Sequence, residues 1–77
     1  MTRGIAFRGA KATSPAGVEH ANVGVSTRRS RLHVFTADMG LITNEAVLGV
    51  AQDGAVWRIT TPGGVWVVSR DVGCGCR

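Results

Sequence analysis

The sequence predicts an all-β fold: a small antiparallel meander or an SH3- or OB-like barrel of four to five short strands, with a basic, partly flexible N-terminal segment. Three observations lead there. Turn signals rich in glycine recur at short intervals along the 77 residues, and β-branched and aromatic residues gather between them. No interval can hold the crossover of about a dozen residues that parallel strands require.

Residues 48–70 organise the prediction, because they hold both tryptophans and the densest β-branched run. Asp53-Gly54 lies between Val50-Ala51-Gln52 and Ala55-Val56-Trp57. That pattern fits a two-residue type I′ hairpin, in which both central residues must accept positive φ. The turn would set Gln52 opposite Ala55, Val50 opposite Trp57 and Leu48 opposite Ile59, with Arg58 and Thr60 on the other side. Thr61-Pro62-Gly63-Gly64 is a second turn, compatible with two registers. If Thr60 pairs with Val65, Trp66 and Val68 join the Trp57/Ile59 face and both indoles enter the core, the usual fate of large aromatics. If Gly64 instead takes a bulge position, Thr61 pairs with Val65. Trp66 then emerges beside Arg58 and Arg70 as an aromatic and basic surface suited to stacking.

Residues 1–30 read as a basic N-terminal arm or edge strand. Through residue 31, Arg3, Arg8, Lys11, Arg28, Arg29 and Arg31 are opposed by Glu19 alone, a net of plus five. From residue 32 onward three arginines meet four acids, a net of minus one, so the positive charge is segregated to the front of the chain. Ile5 and Phe7 suit a short strand covering a sheet edge, Thr13-Ser14-Pro15-Ala16-Gly17 suits a turn, and 18–25 a Gly-interrupted strand. The run 4–13 departs from phosphate-loop spacing, because Ala10 separates Gly9 from Lys11. Arg28-Arg29-Ser30-Arg31 reads as a solvated basic loop able to meet a phosphate.

Residues 31–72 form the expected meander core. Leu32, Val34 and Thr36 alternate with His33, Phe35 and Ala37, so both sides of that strand carry apolar character. Asp38-Met39-Gly40 turns the chain, and 41–50 continues it in extended form. Residues 73–77 are a tail bearing Cys74 and Cys76.

The residues that carry chemistry are sparse. No nucleophile elbow, cofactor loop or complete metal set is present, so a non-enzymatic protein without cofactor or metal is expected. Cys74 and Cys76 supply two of the four ligands zinc prefers, and His20 and His33 would complete the set only if the fold gathered them. The longest apolar run is far too short to cross a bilayer, and no apolar segment follows the first residues, which points to a cytoplasmic protein without membrane contact. A core of this size supplies roughly 3 to 5 kcal/mol, which makes a homo-oligomer a reasonable expectation.

These features lead to a small binding module that meets nucleic acid. Arg3, Arg8, Lys11, Arg28, Arg29 and Arg31 would act from the arm, and Arg58, Trp66 and Arg70 from an aromatic and basic sheet face. The alternative is a structural or inhibitory module that docks on an acidic surface or other part of a protein partner, through a sheet edge or the apolar face of 48–70. The pattern of strand, acidic turn, hairpin and Trp-bearing strand over 32–70 is similar to small barrels of phage head-to-tail joining proteins. That resemblance implies an assembly role and assigns no residue.

Overall fold

The computed structural model describes residues 5–38 and 40–70. They form seven strands: β1 (Ala6–Thr13), β2 (Glu19–Arg28), β3 (Arg31–Phe35), β4 (Leu41–Ala46), β5 (Gly49–Asp53), β6 (Val56–Thr61) and β7 (Gly64–Arg70). All pairings are antiparallel, in the order β4-β3-β2-β1-β7-β6-β5. The all-β expectation holds, with seven strands in place of four or five. The strands form one open sheet, with β4 and β5 at opposite ends of the order.

Two of the strands lie in the segment expected to be a basic arm or edge strand, over and beyond the extended stretches expected at Ile5 and Phe7 and at 18–25. β1 is neither arm nor edge but the central strand, hydrogen-bonded to β2 on one side and β7 on the other. Its backbone donors and acceptors are satisfied from both flanks, which compensates for the scarcity of large side chains. Ala10 and Ala12 are fully buried, and their small side chains let the sheet curl closely over its own middle. Register shifts on either side of Ala10, with Gly9 at φ 67°, add local bend. The pairing extends one residue further: Ile5 N–H donates to Thr27 Oγ1 at 2.9 Å, and Thr27 N–H donates to the Ile5 carbonyl at 2.8 Å.

The curl brings the two halves of the sheet into contact. In the link between β4 and β5, Val47 N–H donates to the Ser30 carbonyl and Leu48 N–H to the Thr60 carbonyl, each at 2.7 Å. Glu45 of β4 accepts from Trp66 Nε1–H of β7 at 3.2 Å. His20 of β2 stacks on the same indole with ring centroids 6.1 Å apart. The concave side encloses Leu32, Val34, Val25, Ile59, Val68 and Trp66, while Ile42, Val50 and Trp57 pack against its margin.

Of the two registers open for the second turn, the structure adopts the one that turns both indoles to the core side, with Trp66 buried and Trp57 half-buried. Thr60 pairs with Val65, Ile59 with Trp66 and Trp57 with Val68. Trp66 is 4% exposed, and Val65 and Val67 face outward. The hairpin at 53–56 differs from the expected one. Asp53 pairs with Val56, Gln52 with Trp57 and Val50 with Ile59, so the turn residues are Gly54-Ala55. Only Gly54 of the two has positive φ, 65°, as type II′ geometry requires. Moving the turn by one residue shifts the pairing by two, so Val50 keeps its side of the sheet. Leu48 falls outside the ladder and is 66% exposed.

Two outcomes follow from this architecture. Gly54 and Gly64 both have positive φ, but a Cβ at Gly54 would meet open space, whereas one at Gly64 (φ 130°) would lie 2.7 Å from Pro15 Cβ. Gly54→Ala is expected to cost about 1 kcal/mol from backbone conformation alone, and Gly64→Ala at least twice as much. Urea denaturation measures both, and equal costs would show that the Pro15 contact yields freely. Glu45 supplies the second. The Thr43 hydroxyl, with smaller help from Trp66, Thr61 and the Gly63 backbone, holds its carboxyl below the ordinary value of 4.5, against a partial desolvation that raises it. The folded state therefore binds this proton less readily than the unfolded chain, so the contribution is complete above pH 4.5 and is lost as pH falls through the lower, folded value. Stability measured against pH should decline on the acid side, and Glu45→Gln should flatten that decline.

Candidate functional site

Alternation on β2 and β3 sends one set of side chains into the core and the other to the outer face. Val23, Val25 and Thr27 face inward from β2, and Leu32 and Val34 from β3. The outer set forms three cross-strand rungs: Gly24 with Phe35, Ser26 with His33, and Arg28 with Arg31. His33 stacks on Phe35 with centroids 6.0 Å apart and ring planes at 13°. An aromatic pair and an arginine pair thus share one rigid strand surface.

The arginine rung closes on a two-residue turn. Arg29 and Ser30 have φ of 53° and 61°, the pattern of a type I′ hairpin, which ordinarily takes Asn-Gly because side chains at positive φ are disfavoured. The expected solvated loop is therefore a tight reversal held in a costly conformation. Arg28 facing Arg31 adds like-charge repulsion. Arg31 is oriented by Asn44 of β4, donating from Nε to Oδ1 at 2.8 Å and from a terminal nitrogen to the backbone carbonyl at 3.2 Å.

Beside these rungs, where β1 bulges away from β2, lies a groove of about 400 Å³. Gly24 and Ser26 contribute to its lining from β2, Phe35 from β3 and Arg8 from β1. Among the described residues Ser26 Oγ is buried and has no hydrogen-bond partner. Asn22, at the same groove, takes φ 55°. Beyond the groove's end Thr36 donates to Asp38. That bond, followed by the backbone at Gly40, holds the Asp38 carboxyl below its usual range, so this acid is charged and already engaged.

The residues expected to bind are dispersed, and the structure brings together only some of them. Arg8, Arg28, Arg29 and Arg31 belong to the β1–β3 surface. Lys11 lies 3.4 Å from Glu19, and Arg58, on the outer side of β6, lies 4.0 Å from Asp53. Arg70 ends β7 opposite Ala10. Arg3 lies outside the described residues. Trp66 does not join Arg58 on the outer face: the unbulged register turns it into the core, where Glu45 and His20 occupy it. The aromatic side chains that do share a face with arginines are Phe35 and His33. Their strand alternation was visible in the sequence, but nothing there distinguished the outer set from the inner.

The histidines are not gathered for metal. His20 packs against the core-facing indole, and His33 stands on the outer face. Among the described residues no three His, Cys, Asp or Glu side chains approach closely enough to hold an ion. Cys74 and Cys76 lie outside the described residues. Among the described residues no helix is long and apolar enough to cross a membrane.

The strain in the arginine turn is testable without a ligand. Replacing Arg29-Ser30 by Asn-Gly should raise the melting temperature by about 4–8 °C for each kcal/mol of relieved strain. An unchanged or lowered melting temperature would show that the native turn carries no such cost. Compared with known protein families, curated proteins and solved structures, the chain matches none.

Proposed function

We propose that this protein is a non-enzymatic module that binds nucleic acid through the outer face of β1, β2 and β3. One observation carries the reading: the hairpin that sets Arg28 against Arg31 across a turn of Arg29 and Ser30, both at positive φ. Neither the repulsion nor the backbone conformation helps the fold. A polyanion offsets the first, and a tight turn presents the guanidinium groups from a rigid support in place of a mobile arm. Arg8 extends the charge across β1, and Phe35 with His33 supplies a stacking surface between.

A second reading rests on a separate observation. β4 and β5 are edge strands, and Leu41 and Leu48 near them are 52% and 66% exposed. β5 could accept an added strand from a protein partner or from a second copy of this chain. Size-exclusion mass measurement separates the two, since a discrete oligomer indifferent to DNA or RNA favours the edge.

If Arg28, Arg29 and Arg31 each meet one phosphate, the logarithm of affinity should fall with the logarithm of salt concentration at a slope of about −2 to −3. Arg29→Asn separates fold from function, because asparagine tolerates positive φ while removing the charge. It should raise the melting temperature, weaken binding at low salt and reduce the slope's magnitude by nearly one. Salt-insensitive binding, or a variant that binds as well as the parent, would remove the hairpin from the interface.

A further inference from the structure

Resting on the nucleic-acid reading, we infer that the groove between β1 and β2 receives one unpaired nucleobase, so that the protein selects single strands over duplex. The groove, about 400 Å³, is at the small end of ligand pockets, which span about 300–1,000 Å³. Gly24, among its lining residues, adds no side chain to fill it, and β1 is bulged where Arg8 and Gly9 line it. Phe35 lines the groove and has His33 stacked on it, so a base placed against the phenyl ring would extend an existing stack.

The polar groups suit the same occupant. Among the described residues Ser26 Oγ is buried without a partner; a base seated in the groove that displaces the groups covering it would meet a hydroxyl that both donates and accepts. Arg8 stands among the lining residues to meet the adjoining phosphate, and among the described residues no acidic side chain lines the groove. The neighbouring acid, Asp38, is hydrogen-bonded by Thr36. Bases within a duplex are stacked and paired, and cannot enter such a groove unless flipped out of the stack. The expected ligand is therefore a single strand with little base preference.

Fluorescence anisotropy of the full chain with a labelled 12-nucleotide DNA, as a single strand and as the blunt duplex of the same sequence, tests this. Single strand is expected to bind about tenfold or more tightly. Phe35→Leu should lose most of that advantage, and Phe35→Trp should retain it. Ser26→Ala should weaken single-strand binding several-fold and, by removing an unpartnered buried hydroxyl, raise the melting temperature. A melting curve of each variant establishes that it is folded, and if Phe35→Leu is not, the Trp and Ser26 variants carry the test. Equal affinity for both polymers, or Phe35→Leu and Ser26→Ala variants that bind single strand like the parent, would overturn the base-pocket inference while leaving the arginine face standing. Failure to bind either polymer would overturn both.

Discussion

The structure depends on β1 carrying two hydrogen-bond ladders at once. Two meanders, β2–β4 and β5–β7, meet through β1 and β7, and the pairing across that junction is the antiparallel run of 10–13 against 67–70. A strand in that position must satisfy its backbone on both sides and leave room for the sheet to curl. Ala10 and Ala12, both buried, meet the second requirement. Larger side chains there would push the concave walls apart and force the core off its packing minima. The segment that looks least like a core strand by side-chain hydrophobicity is thus the one that can occupy the centre.

The same constraint explains what the sequence revealed and what it concealed. The turn at 61–64, the strand at 31–35 and the shared face of Trp57, Ile59 and Trp66 in one of the two registers were all legible, because turn chemistry and period-two alternation act locally. β1 and β2 were legible as a short strand at Ile5 and Phe7 and a Gly-interrupted strand over 18–25, but their full extent and β1's central place were obscured by their Gly, Ala and Arg content and by bulges at Gly9 and Asn22 that break the alternation. Their strand character comes from tertiary pairing, which overrides weak local preference. The turn at Arg29-Ser30 was hidden for a related reason, since neither residue is the type such a turn normally selects. For the site, the cations were legible as charge, but their aromatic partners depended on which side of the sheet each strand showed.

Core and outer face are built from the same strands, and this makes the surface rigid. Leu32 and Val34 are fully buried, which fixes the direction in which His33 and Phe35 project. Asn44 of the neighbouring strand then orients Arg31. If this face binds as proposed, strands held this way leave little rotamer and backbone freedom to lose. Trp66 illustrates the opposite use of an aromatic. With its N–H held by Glu45 and its ring against His20, it joins β7 to β4 and β2, and its energy goes into closing the curl.

Three local departures from what stability alone would choose lie on one face of β2 and β3. Arg28 opposes Arg31, Arg29 and Ser30 occupy left-handed backbone, and Ser26 keeps a buried hydroxyl without a partner among the described residues. Each has an ordinary remedy: an opposite charge, an Asn-Gly turn, an alanine. The concave side of the same strands follows the usual rules, with aliphatic residues packed and the Thr27 hydroxyl accepting from Ile5. Where each local choice otherwise agrees with the fold, exceptions confined to one surface point to a demand outside the fold. The cations and the hydroxyl, with the Phe35 ring beside them, are the groups that the proposed phosphate and base contacts would use.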